Sequence, residues 1–184
     1  MTDGFQIRLM RVVASERSSA SDEGIATSED LPAVMSEICQ SLARAGVVHF
    51  EVSGFGQPKW PVDVSTDLAV VAEQLPEVLA GLGRSEGEVA LDFYEQGIQR
   101  LLSFERAGVD DVRVTCRSGQ LGWDPDPHEH VIKRRELVRM LCTLDDEFAN
   151  VARIECPLAA SHPAFRAWLT QLGVARTLHL RLLS

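Results

Sequence analysis

The chain has 184 residues, with 27 Asp plus Glu against 18 Lys plus Arg and a net charge of −9. So acidic a balance, in a chain with no recognisable catalytic motif, points toward a protein that binds something and away from a nucleic-acid binder, which needs a basic footprint. A composition 45% hydrophobic and 24% charged is ordinary globular usage, and the length fits a single domain over 1–184.

The start lacks a basic segment followed by an apolar one, and no apolar run approaches the roughly 18 residues of a membrane span. Cys39, Cys116, Cys142 and Cys156 fall at no CxxC spacing. They read as reduced thiols of a cytoplasmic protein needing neither disulfide nor metal.

Phe5 to Val13 predicts a strand with Phe5, Ile7 and Leu9 on one face. The polar stretch Ser15 to Gly24 predicts a loop. Asp30 and Pro32 then open a helix whose stripe is Leu31, Val34, Met35, Ile38 and Leu42, and Gly46 closes it. Val47 to Phe55 alternates as a strand, followed by a loop with the aromatics Phe55 and Trp60.

A helical pattern begins near Ser65 or Thr66 and carries Leu68, Val71, Ala72, Leu75, Leu79 and Leu82. Pro76 inside it predicts a kink or two short helices in tandem. From Glu88 the period becomes 2. Runs at Val89 to Tyr94, Ile98 to Arg106 and Val112 to Cys116 predict an antiparallel meander.

Leu121 to His128 is a proline-spaced loop, and a long helix is expected from Glu129 to about Val151. A short helix is expected after Pro163, carrying Phe165, Trp168, Leu169 and Leu172 and ending at Gly173. Alternation over Val174 to Leu183 predicts a last strand. Strands grouped in the middle and flanked by helices predict an α+β fold, with a five- or six-stranded, mainly antiparallel sheet and helices packed on one face.

Chemistry-bearing clusters are few. Asp124, Asp126, His128, Glu129 and His130 hold zinc-type donors at no known ligand spacing. They read first as a stiff loop entering a helix, with Glu129 complementing its dipole, and only second as a metal site. Asp92 and Glu95 beside Tyr94 read as an acid pair or as a solvated sheet edge. No GxSxG elbow, P-loop or GxGxxG occurs, so no catalytic residue is assigned.

As an acidic, motif-free α+β chain of this length, the protein resembles the immunity proteins encoded beside bacterial polymorphic toxins, including those of type VI secretion and contact-dependent inhibition. Its segments Trp60 to Leu68, Glu73 to Glu77 and Leu91 to Ile98 resemble stretches in small bacterial proteins, some of them of that kind. The resemblance covers about a fifth of the chain. It implies a stoichiometric inhibitor without catalysis or cofactor, occluding the basic active site of a cognate protein toxin.

Interfaces concentrate energy in a few buried aromatics within a charged rim. Two loops offer both. One holds Phe55, Trp60 and Asp63; the other holds Trp123, Asp124, Asp126 and Glu129. Trp60 and Trp123 read as partner anchors or as core and lid residues. A scaffold or regulatory module, and a small-molecule or metal-dependent enzyme, remain the alternatives.

Overall fold

A computed structural model describes residues 4–12, 30–84, 87–95 and 97–182. The Ser15 to Gly24 stretch, Val13 and Leu183 lie outside the described residues. Strand β1 (Gln6–Arg11) and strand β2 (Val48–Ser53) pair antiparallel, with Ile7 opposite Val52 and Leu9 opposite Phe50. Helix α1 (Leu31–Ala45) connects them. Asp30 accepts a hydrogen bond from the Ala33 N–H at its start, and Gly46 closes it at a φ of 62°. Both caps lie where the sequence places them, because each satisfies helix-end groups that otherwise have no partner.

Helix α2 (Asp67–Leu82) follows, and it is buried on nearly every side. It runs continuously through Pro76 and is not two tandem helices. Proline there cannot donate to the carbonyl of Ala72, one turn earlier. The indole N–H of Trp168 takes that carbonyl instead, at 2.8 Å.

Strands β3 (Val89–Phe93), β4 (Arg100–Arg106) and β5 (Asp111–Ser118) form the expected antiparallel meander. A fourth strand, β6 (Glu129–Lys133), adds to β5 with His130 opposite Val114. The fold is therefore α+β with two antiparallel sheets, of two and four strands, and not one sheet of five or six. On the core face lie Leu91, Phe93, Leu102, Phe104, Val112, Val114 and Cys116. The Gly81 position of α2 packs so closely on β3 that a Cβ there would lie 2.4 Å from Val89.

Two expectations fail near the C-terminal half. The long helix α3 (Arg134–Glu155) starts five residues later than expected, because 129–133 form β6. Val131 is therefore 59% exposed on a strand instead of lining a helix, and Glu129 caps no helix dipole. After the single-turn helix α4 (Pro157–Ala160), helix α5 (Pro163–Leu182) runs straight through Gly173, so the tail is not a strand. Phe165, Trp168, Leu172, Ala175 and His179 recur at spacings of three and four and are all buried. That helical period outweighs the short alternation at the end.

The apolar residues of both sheets and all five helices form one continuous core. No helix among the described residues is long and apolar enough to cross a membrane. All four cysteines are free thiols, three of them buried.

Candidate functional site

The two loops singled out in the sequence meet. Gly54 and Gln57 exchange backbone hydrogen bonds of 2.9 and 3.1 Å across a two-residue turn. Both central residues take positive φ, 57° at Phe55 and 79° at Gly56. Such a turn suits a tight hairpin but strains a residue with a side chain. Contacts on both sides hold it. The Phe55 N–H donates to His130 Nε2 at 3.3 Å, and the Phe55 carbonyl accepts from the Asp126 N–H at 3.2 Å. A Cβ on Gly56 would lie 2.2 Å from the Asp126 carbonyl oxygen. The turn after β2 is thus threaded against the loop between β5 and β6.

An aromatic cluster grows from this junction. Phe55 packs on Phe5, Trp60 and His130, with ring centroids 5.9, 6.1 and 4.8 Å away. Trp60 meets Phe93 and Trp123 edge-on at 5.5 and 6.2 Å, and its indole N–H donates to the Gly54 carbonyl at 3.1 Å. Phe55 and Trp60 have no exposed surface, so neither is the surface anchor expected from the sequence. Each has been drawn into the core by its neighbours. Trp123 remains partly exposed.

At the centre of the cluster is Arg100, which belongs to none of the motifs visible in the sequence. It is the first residue of β4 and shares the core face with Leu102 and Phe104. Its guanidinium carbon lies 4.3 Å from the Trp60 ring centre and 3.6 Å from that of Trp123. Cation–π contacts of this kind strengthen where water is excluded. Nη2 donates to the Gln57 side-chain oxygen at 2.6 Å.

Nε and Nη1 of Arg100 are buried without an acceptor, and no carboxylate among the described residues pairs with it. Burial pulls the guanidinium down to about 10, a loss that a nearby Cys116 thiolate would oppose. Burial pushes the Cys116 thiol itself up to about 12, so at neutral pH it is uncharged and offers Arg100 no counter-ion. A basic residue in the apolar phase of an alternating strand was the signal available in the sequence.

The acidic residues fall into three groups. Asp63 is exposed, but its carboxylate already accepts from Ser65 Oγ, the Thr66 N–H and Thr66 Oγ1 at 2.7 to 2.8 Å. Burial raises its pKa, yet these hydrogen bonds outweigh burial and hold it below the usual carboxylate range. It organises the entry to α2. Glu129 pairs with Arg113 at 3.5 Å on the outer face of the larger sheet. Asp124 and Asp126 are exposed and make no ion pair among the described residues.

Beside them Leu121 is fully exposed, at 104%. Next to this loop, at the end of β3, β4 and β5, a depression of about 340 Å3 is lined by Tyr94, Gln99, Arg117, Ser118 and Gly119.

The other candidates take structural places. Tyr94 donates to Glu73 at 2.6 Å, while the Asp92 backbone is held by the Gln74 side chain at 2.9 Å. His130 is committed to the Phe55 turn. No group of three or more His, Cys, Asp or Glu among the described residues is placed to hold a metal ion.

No family model, curated protein or solved structure matches this chain.

Proposed function

We propose that this chain is a binding protein that occludes a basic site on a protein partner, as an immunity protein blocks its cognate toxin, using residues 119–128. The observation that carries the reading is the composition of that loop's surface. A fully exposed Leu121 stands beside the exposed carboxylates of Asp124 and Asp126. An apolar tip within an acidic rim matches the anatomy of an interface whose partner is basic. The loop is held from beneath by Trp123 on Arg100 and by the Asp126 N–H on Phe55. The Asp126 tie limits the conformational freedom that this end of the loop loses on binding.

The net charge of −9 supports fast, steered association. The anchor differs from the pair first expected. Leu121 is the apolar contact, while Trp123 supports the loop and Phe55 and Trp60 support Trp123.

The test is to read the neighbouring genes for a secreted toxin and co-express this chain with it, followed by association kinetics at several salt concentrations. Charge reversal at Asp124 and Asp126 is expected to slow association and flatten its salt dependence. Leu121→Ala is expected to speed dissociation. Absence of binding by the unmodified protein would sink the reading. Unchanged kinetics in the variants would move the interface elsewhere.

A further inference from the structure

We propose that Arg100 is the recognition site for a small-molecule monocarboxylate, reached when residues 121–125, which carry Trp123, swing away from the aromatic cluster. Such a site does not depend on the chain binding a protein partner. An imbalance of charge marks it. A buried guanidinium is ordinarily paired with an anion and has its N–H groups satisfied. Arg100 is 2% exposed, has one neutral acceptor in Gln57, and leaves Nε and Nη1 without partners. The stacked indoles attract the charge but accept none of these in-plane hydrogens.

The enclosure is asymmetric. Trp60 is fully buried and tied to the Gly54 carbonyl, with Phe93 behind it. Trp123 is only partly buried and belongs to a loop held at its two ends. Gly119 donates to the Gln99 carbonyl at 2.7 Å and Asp126 to that of Phe55. Between them, residues 121–125 are tied to no other element by a backbone hydrogen bond among the described residues, and Leu121 and Gly122 form a turn with Gly122 at a φ of 92°. Movement of this stretch uncovers the guanidinium face on which Trp123 stacks, while the turn and Trp60 stay in place.

The chemistry of the site selects the ligand. A carboxylate accepts charge-assisted hydrogen bonds from a guanidinium, here from Nη1 or from Nε, each of which forms a fork only together with the second hydrogen of Nη2. One negative charge neutralises one positive charge. A phosphate dianion would leave an excess charge in an apolar box, facing an entrance flanked by Asp124 and Asp126. The Trp60 ring, which stays in place, favours a flat apolar body behind the carboxylate.

The experiment titrates the full chain with sodium acetate, sodium benzoate and inorganic phosphate at constant ionic strength, with chloride as the control. The readouts are indole emission and melting temperature, since a ligand of the native state raises the latter. Benzoate is expected to saturate both signals, acetate more weakly, and phosphate and chloride not at all. Arg100→Gln is expected to weaken benzoate at least about tenfold, the loss of a charged hydrogen bond. Trp123→Ala is expected to bind at lower concentration, because the covering ring is gone.

No saturable response to either carboxylate, in both the unmodified chain and Trp123→Ala, overturns the proposal. So does an equal response to phosphate, or a folded Arg100→Gln that responds unchanged. If Arg100→Gln does not fold, the Trp123→Ala titration decides: tighter binding supports the site, and unchanged or lost binding overturns it.

Discussion

Trp168 on α5 donates its indole N–H to the carbonyl of Ala72 on α2, the acceptor that Pro76 leaves without its helical donor. A buried carbonyl without a partner costs free energy, and a proline inside a helix creates one. The hydrogen bond from a second helix explains how α2 remains continuous at the centre of the core. It also fixes α5 against α2, a contact repeated further along where the His179 ring meets the Leu79 carbonyl at 2.6 Å.

Trp168→Phe is therefore expected to destabilise the fold by about 1–3 kcal/mol through the orphaned carbonyl. The cost is expected to shrink in a Pro76→Ala background, where the helix supplies its own N–H to Ala72. Urea denaturation of the two single variants and the double variant measures the coupling. Additive effects would show that the indole does not substitute for the missing helical bond.

The sequence displayed the elements whose pattern is local and left hidden those decided by tertiary partners. Asp30, Pro32 and Gly46 mark α1 because caps act within one turn. The meander was legible from its alternation. Strand β6 was not, because its five residues have half-exposed faces and are defined by pairing with β5, as in Thr115 opposite Glu129. The division into two sheets depends on which strand edges meet, and no periodicity encodes that. Phe55, Trp60 and Trp123 were visible as aromatics in two loops, but their convergence on Arg100 was not. Helix α5 was legible in part. Its apolar period of three and four passes through Gly173, which reads locally as a stop but is exposed with open space around it.

Asp145 on α3 is fully buried against the Arg176 guanidinium of α5, which also reaches Asp146 at 2.8 Å. Removing one member of such a pair leaves an uncompensated charge, whereas removing both does not. Arg176→Met is expected to cost about 3–5 kcal/mol. The double variant Asp145→Val with Arg176→Met is expected to recover most of that loss. Thermal unfolding of the three proteins at neutral pH checks it; a double variant no more stable than the single would refute the pairing.

Asp67, in the first turn of α2, accepts the Asp63 N–H at 2.8 Å, but its other oxygen is buried without a partner. Burial raises its pKa to about 6, with the charges of Asp63 and Glu95 adding to the shift. The folded state therefore holds the proton more tightly than the unfolded chain, whose carboxyl titrates near 3.8. Ionisation of Asp67 costs stability fully above pH 6, and the cost fades as pH falls through the window from about 6 to 4. Asp67→Asn is expected to stabilise the protein most above pH 6 and not at all below pH 4. The gain is bounded by about 3 kcal/mol and lowered by solvent screening at the helix end. The difference between the two proteins across pH cancels the carboxylates that are not coupled to Asp67, leaving Asp67 with its neighbours Asp63 and Glu95; a gain independent of pH would refute the assignment.

Gly56 links the fold to the candidate site. Its φ of 79°, and the 2.2 Å that would separate an added Cβ from the Asp126 carbonyl oxygen, leave no room for a side chain. Gly56→Ala must either strain the turn after β2 or push residues 119–128 outward. The left-handed backbone alone costs about 1–2 kcal/mol in a residue other than glycine. Because Asp126 is held by Phe55 and Trp123 lies three residues earlier on Arg100, the displacement is expected to reach the indole. The variant should therefore lose stability and shift its tryptophan emission toward that of a more solvated ring. Gly87, also at positive φ but with nothing within 4 Å of its Cβ position, provides the control. Gly87→Ala is expected to incur backbone strain without any change in emission. Matching emission changes in the two variants would show that strain alone moves Trp123, and that the turn and the loop are not coupled through Asp126.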